Sequence, residues 1–99
     1  MTQQEIEQAI RSKSVVKFTY SDHHRVVEPH VLGLKGGSLQ ILGYQIGGSS
    51  SSGGIPEWRR FDVQRMSGFV TTAQKFAGRR PFPSGVHSAW DKEILVVDP

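Results

Sequence analysis

Two arginines near the middle of this 99-residue chain have the spacing of an anion-binding pair. Residues 57–66 have the pattern of a β-strand, and alternation places four side chains on one face of it: Arg59, Phe61, Val63 and Arg65. The apolar pair directs that face towards a core, so both arginines are expected at its rims, where guanidinium groups can hold phosphate or carboxylate. At about 3.3 Å per residue they would lie roughly 20 Å apart. This span suits a nucleic acid strand better than one small molecule, unless the strand ends or bends before Arg65.

These side chains and their aromatic neighbours also have purely structural interpretations. The arginines can form ion pairs with Glu28, Glu57 or another acid. Trp58 and Tyr44 offer aromatic surfaces on which bases can stack, but both residue types also pack in the core or at the edge of small barrels. The residues alone leave these alternatives open.

The sequence indicates no other chemistry. There are no cysteines, which excludes disulfides, thiolate metal sites and thiol nucleophiles. Gly48 and Gly53 have the spacing of a phosphate-binding loop, but Gly54-Ile55 stands where that loop needs Lys followed by Ser or Thr. His23 and His24 are adjacent, so their side chains diverge, and no further ligand lies at metal spacing. We therefore predict a protein without catalytic residues, metal or cofactor.

The charge of the chain is unevenly distributed. The net charge is +3, and residues 11–80 contain 11 Lys or Arg against 4 acids. A basic body favours anionic partners. No apolar stretch approaches the roughly 20 residues that span a bilayer, and the N-terminus lacks the pattern of a signal peptide. A cytoplasmic protein without membrane insertion is expected.

The elements that must position these residues follow from periodicity. A capping box of Thr2 and Glu5 begins a predicted helix to Ser12, whose apolar face is formed by Ile6, Ala9 and Ile10. Tight turns at residues 21–24 and 36–37, and a Gly/Ser-rich loop at 47–54, separate the strands. The predicted strands are residues 15–20, 25–35, 38–46, 57–66 and 68–72, with a further strand at 93–97 that pairs at an edge or with another chain.

This order predicts a mainly β fold. Five short strands led by one helix favour a small five-stranded barrel of the SH3 or Sm type. The alternative is a two-layer α+β sandwich. Pro29 interrupts the second strand, which predicts either an edge strand or a bulge there.

Three segments resemble the WYL domain, an Sm-like barrel of bacterial transcription regulators that senses ligands or nucleic acid. They are Arg25-Val26-Val27-Glu28-Pro29-His30, Leu39-Gln40-Ile41-Leu42-Gly43-Tyr44, and Trp58-Arg59-Arg60-Phe61 with Arg65-Met66. The resemblance covers about residues 6–76. It implies a barrel domain over residues 1–76 and a C-terminal extension, residues 77–99, that contains the extra strand.

The sequence departs from the family pattern at two places. The Trp-Tyr-Leu triplet that names the family falls on Leu39-Gln40-Ile41, so the aromatic platform is replaced by the hydrogen-bonding side chain of Gln40. In the fourth strand, Asp62 and Gln64 stand where the family has a basic and an acidic residue. His30 matches a family position, whereas the residues alone indicate a surface histidine of a strand.

The predicted function is a non-enzymatic regulatory module that recognises an anionic ligand, either single-stranded nucleic acid or a nucleotide. Arg59 and Arg65 are expected to hold phosphates. The full predicted ligand-binding set is Arg25, His30, Gln40, Tyr44, Trp58, Arg59 and Arg65. The alternative is a protein–protein interaction module, with a regulator or a second copy as its partner, that adds the apolar residues 94–97 to a sheet edge.

Overall fold

One helix and six strands make up the part of the chain that the structure describes. This structure is a computed structural model, and it describes residues 3–49, 54–81 and 90–99. The elements in chain order are α1 (Gln3–Arg11), β1 (Ser14–Tyr20), β2 (His23–Lys35), β3 (Ser38–Gly48), β4 (Glu57–Asp62), a 3-10 turn (Val63–Arg65), β5 (Ser67–Lys75) and β6 (Lys92–Val96). The predicted mainly β fold with one helix is confirmed.

The six strands form one antiparallel sheet. Its order is β4-β3-β2-β1-β5, and β6 pairs with β2. Because β2 is 13 residues long, its first half pairs with β1 and its second half with β6, while β3 lies along its other side. The sheet thus has six strands where the predicted barrel has five, and the sixth corresponds to the further strand predicted at residues 93–97. Closing a barrel would require β4 to pair with β5, and this pairing is not found among the strands described, so the sheet is open.

A hydrophobic core lies between α1 and one face of the sheet. Ile6, Ala9 and Ile10 of α1 are fully buried, as their spacing predicts. They pack in one cluster with sheet residues that include Phe18 and Phe61, whose rings meet edge to face at 4.9 Å. Val97, just after β6, belongs to the same cluster, so the end of the chain contributes to the core. The Thr2 half of the predicted capping box lies outside the described residues. No helix in the described ranges is long and apolar enough to cross a membrane.

The first hairpin is tighter than the sequence predicts. Its turn consists of Ser21 and Asp22 alone, both with positive φ (52° and 63°), and His23 and His24 already belong to β2. Left-handed conformation at both central residues is characteristic of a two-residue turn whose twist matches the flanking strands. The placement of the two histidines in a turn is corrected accordingly. In the later loop, Gly47 and Gly48 belong to β3, and residues 50–53 lie outside the described ranges.

Pro29 marks a bulge and not an edge. The register between β2 and β3 shifts between Pro29 and Val31, while β2 has neighbours on both sides. Proline cannot donate to a ladder, so a bulge is the place where a central strand tolerates it.

The fourth strand is shorter than predicted. It ends at Asp62, whose side chain accepts a hydrogen bond from the backbone N–H of Gln64 at 3.1 Å and caps the 3-10 turn. Arg65 is the last residue of that turn and lies off the strand. The predicted common face of Arg59 and Arg65 is therefore wrong, because the chain bends between them. The fifth strand, Ser67–Lys75, is in turn longer than the predicted residues 68–72.

Candidate functional site

Arg25 is a buried arginine at one end of the inner sheet face. Only 4% of its surface is exposed. Its guanidinium donates to the backbone oxygen of Tyr20 (3.0 Å from Nη2, 3.3 Å from Nε) and to Oε1 of Gln45 (3.2 Å from Nη1). Burial lowers the pKa of Arg25, and the nearby positive charge of Arg59 lowers it further. Among the described residues, Arg25 thus donates its hydrogen bonds to uncharged oxygens.

Arg59 lies on the same face of the sheet. It shares one face of β4 with Phe61, which is in the core, and pairs across to Gly43 of β3. Its side chain is 16% exposed, and Nη2 lies 2.6 Å from Oε2 of Glu57. The ion pair with Glu57 that the sequence offered as an alternative is therefore present.

Arg65 reaches the same corner of the molecule from the 3-10 turn. Its guanidinium lies over the ring of Tyr20 at 5.1 Å, and that of Arg25 lies 5.7 Å from the centre of the same ring. Nη2 of Arg65 also donates to Oγ of Ser21 at 3.4 Å. We refer to Arg25, Arg59 and Arg65 as the arginine cluster.

Tyr20 contacts both Arg25 and Arg65 and was not predicted as a site residue. Its ring packs edge to face on Phe61 at 5.1 Å, and its hydroxyl accepts a hydrogen bond from the backbone N–H of Asp62 at 3.0 Å. Alternation along β1 places Tyr20 on the same face of that strand as Val16 and Phe18. Nothing in its local pattern indicated that arginines from two other segments contact it.

Tyr44, Trp58 and His30 form a second, aromatic group. Tyr44 of β3 and Trp58 of β4 are cross-strand partners with ring centres 5.2 Å apart. Trp58 precedes Arg59 in the strand, so it points to the opposite face of β4. The imidazole of His30 meets Trp58 edge to face at 4.8 Å and stacks on Phe76 at 5.3 Å. These three predicted residues are therefore together, but away from the arginine cluster.

His30 is fully buried, which corrects its interpretation as a surface histidine. It follows Pro29 at the bulge, where the alternation on which that interpretation rested is interrupted. Nδ1 lies 2.8 Å from the backbone oxygen of Glu28, and Nε2 lies 3.3 Å from the backbone nitrogen of Arg80. This geometry assigns the proton to Nδ1 and makes Nε2 the acceptor. Burial lowers the pKa of His30, so the ring is neutral at physiological pH.

Gln40 lies apart from the arginine cluster. It pairs with Asp62 across the β3–β4 ladder, and its Oε1 accepts a long hydrogen bond from Nη1 of Arg60 at 3.5 Å. The guanidinium of Arg60 in turn lies 4.1 Å from the ring centre of Trp90. Gln40 thus belongs to the face that carries Tyr44.

Sequence reasoning missed the ion pair of Glu28 and Arg80. Nε of Arg80 lies 2.6 Å from Oε1 of Glu28, and Nη2 lies 3.1 Å from Oε2, a bidentate arrangement that raises the pKa of Arg80. The guanidinium also lies over the ring of Tyr44 at 4.4 Å. The two residues are 52 positions apart, and neither has a local pattern that indicates the other.

Comparison of the sequence with protein-family models identifies the family of this chain. The model described as the WYL domain matches residues 2–70, which is more than half of the chain. The chain belongs to the WYL family. No curated protein and no solved structure gives a significant match. The WYL domain is generally a regulatory, ligand-sensing and non-catalytic domain. In the described ranges, no group of three or more His, Cys, Asp or Glu side chains is placed to hold a metal ion.

Proposed function

We propose that this WYL-family chain is a regulatory module that binds an anionic ligand, a nucleotide or single-stranded nucleic acid, at the arginine cluster. The observation that carries the proposal is the convergence of Arg25 and Arg65 on the ring of Tyr20, with Arg59 close enough to Arg25 to lower its pKa. Following the resemblance, the module would serve bacterial transcription regulation in the cytoplasm.

The electrostatics of the cluster favour an anion. Arg25 is buried with neutral hydrogen-bond acceptors, and a second guanidinium nearby adds to the positive potential. Bringing like charges together in a poorly solvated place costs free energy, which a phosphate or carboxylate between them would offset. Tyr20 and Phe61 supply the apolar surroundings in which such a contact is strengthened.

The bend at Asp62 also changes the expected size of the ligand. The roughly 20 Å separation of Arg59 and Arg65 assumed one straight strand. Because Arg65 leaves the strand and lies over Tyr20, this 20 Å estimate no longer favours a polynucleotide strand, and a nucleotide is an equal candidate for the ligand.

Fluorescence anisotropy tests the proposal. A labelled single-stranded oligonucleotide and a labelled nucleotide are titrated with the protein at low and at physiological salt. We expect Arg59→Ala and Arg65→Ala each to weaken binding about tenfold, the magnitude of one lost charge-assisted hydrogen bond.

The matched control is Arg11→Ala. This change removes the same charge from an arginine of α1 whose side chain is 58% exposed and forms an ion pair with Glu7 in the same helix. Circular dichroism verifies that each variant is folded. Absence of binding at low salt, or equal binding by the Arg59, Arg65 and Arg11 variants, would refute the proposal.

Self-association through the C-terminal strand stays a prediction. Because β6 pairs with β2 of its own chain, a second copy would have to use the other edge of β6.

A further inference from the structure

The contact between Glu28 and Arg80 has the composition of a binding site. Glu28 projects from β2, and only 6% of its side chain is exposed, whereas 45% of the Arg80 side chain is exposed. The carboxylate is therefore built into the sheet, and the guanidinium reaches it from the solvent side. Tyr44 covers one face of that guanidinium, with Trp58 packed behind Tyr44.

The two halves of this contact come from different parts of the chain. Glu28, Tyr44 and Trp58 lie inside residues 2–70, the part that matches the WYL domain, while Arg80 lies beyond it. The backbone N–H of Arg80 is also held from inside the domain, by Nε2 of His30 at 3.3 Å. The domain thus provides an acceptor for the side chain and another for the backbone of one arginine.

Other described residues of the C-terminal segment, within 77–81 and 90–99, form separate contacts. Arg79 donates from Nε and Nη2 to the backbone oxygen of Val97 at 3.0 and 2.9 Å. Oδ2 of Asp91 accepts from the backbone N–H of Gly36 at 2.7 Å. Trp90 packs so closely on Gly33 that a Cβ there would lie 2.5 Å from its ring. A cleft of about 300 Å³ remains between this segment and Glu28.

We propose that Glu28 and Tyr44, supported by Trp58 and His30, form a guanidinium-binding site whose ligand is an arginine side chain. In this chain the ligand is Arg80, so the C-terminal segment acts as an intramolecular ligand of the WYL domain. The site faces away from the arginine cluster and is independent of the proposed anion binding.

The geometry selects guanidinium over ammonium. Two parallel hydrogen bonds to one carboxylate require the planar fork of arginine, which a lysine ammonium cannot reproduce. The position over Tyr44 adds a cation–π contact that also suits a flat cation. An empty site would leave the carboxylate of Glu28 in a buried position without its counter-ion, which is costly.

Chemical rescue of the full-length chain tests this site. Arg80→Ala removes the occupant but leaves Glu28, Tyr44 and Trp58 in place, so the thermal midpoint should fall below that of the wild type. Methylguanidinium is then expected to restore several degrees of that loss with a roughly millimolar midpoint, because ligand binding to the folded state stabilises it. Methylammonium at the same concentration should restore little, and neither cation should stabilise the wild type.

The double variant Glu28→Gln/Arg80→Ala is the matched control, since it keeps the cavity and removes the carboxylate. Arg80→Lys provides a second test if Arg80→Ala does not fold, and it should also be less stable than the wild type because it keeps the charge but loses the fork. The proposal is overturned if Glu28→Gln/Arg80→Ala responds to methylguanidinium as strongly as Arg80→Ala does, if methylammonium rescues equally well, or if Arg80→Lys is as stable as the wild type. None of these outcomes depends on anion binding at the arginine cluster.

Discussion

His30 illustrates how the surroundings of one residue decide its role. The ring lies between Trp58 and Phe76, and both of its nitrogens are committed to backbone groups. The charged groups that face it are the carboxylate of Glu28 and the guanidinium groups of Arg79 and Arg80. Burial is the largest cause of its lowered pKa, and the two arginines act in the same direction. The histidine therefore holds the C-terminal segment only in its neutral form.

A pH dependence of stability follows from this environment. A histidine has a pKa of about 6.5 in an unfolded chain. Because the pKa of His30 is lower in the folded state, the unfolded state binds the proton more readily, and stability falls as the pH drops below about 6.5. Each unit of pKa depression corresponds to about 1.4 kcal/mol. Urea denaturation at a series of pH values between neutral and mildly acidic measures this loss.

A pair of variants separates His30 from the other histidines. His30→Gln removes the titrating ring, so stability should change less with pH than it does in the wild type. This variant is also expected to be less stable than the wild type at neutral pH. His24→Gln changes an exposed histidine of β2, and the stability of this variant should change with pH as that of the wild type does. If His30→Gln loses stability on acidification as steeply as the wild type, the neutral ring does not account for the effect.

At the scale of single residues, the sequence predicted identities better than environments. The sequence singled out Arg25, Arg59 and Arg65 by residue type, but it did not indicate that Arg25 and Arg65 both contact the ring of Tyr20, which is 45 positions from Arg65 along the chain. Side-chain type carries information about chemistry, whereas burial depends on which strands become neighbours.

At the scale of elements, the end of β4 determines where Arg65 lies. Asp62 stops the strand because its carboxylate accepts the N–H of Gln64, and the 3-10 turn that follows carries Arg65 to Tyr20. The backbone N–H of Asp62 also donates to the hydroxyl of Tyr20. One residue thus ends the strand and fixes the position of the turn against the cluster.

Substitutions at Asp62 test this role. Asp62→Ala removes the cap and should lower the free energy of unfolding by about 0.5–2 kcal/mol, the usual cost of losing such a cap. Asp62→Asn keeps an oxygen acceptor and should recover most of that loss. Denaturant unfolding of both variants measures the difference. Equal stability of the alanine variant and the wild type would show that the cap does not maintain the bend.

Local elements were predictable here, and their long-range partners were not. The helix face of Ile6, Ala9 and Ile10 and the Gly36-Gly37 hairpin follow from period and turn chemistry, and both are found. By contrast, β6 was recognisable as an apolar strand, but its pairing with β2 required knowing that β2 extends past the end of β1. Similarly, the alternation of residues 57–66 continues beyond the point where Asp62 ends the strand.

At the scale of the whole molecule, the fold places Arg80 and the arginine cluster on opposite sides of the sheet. The guanidinium of Arg80 is neutralised by Glu28 on one side of the sheet. The arginine cluster lies on the other side, where Arg59 forms an ion pair with Glu57 and the guanidinium of Arg25 donates to the neutral oxygens of Tyr20 and Gln45. The net charge of +3 therefore does not describe how the positive charges are distributed over the molecule.

Salt dependence of binding distinguishes Arg80 from the arginine cluster. Binding of a single-stranded oligonucleotide should weaken as salt rises, because phosphate contacts release counter-ions, with a slope of about 0.7 per phosphate contact on a double logarithmic plot. Arg65→Ala should reduce that slope by about one contact, since Arg65 is exposed and belongs to the cluster. Arg80→Ala removes the same formal charge from the chain, but it frees the carboxylate of Glu28 on the opposite face and should leave the number of phosphate contacts unchanged. Anisotropy titrations of the wild type and the two variants over a salt series measure these slopes. If Arg65→Ala and Arg80→Ala reduce the slope equally, overall charge determines binding and the arginine cluster does not.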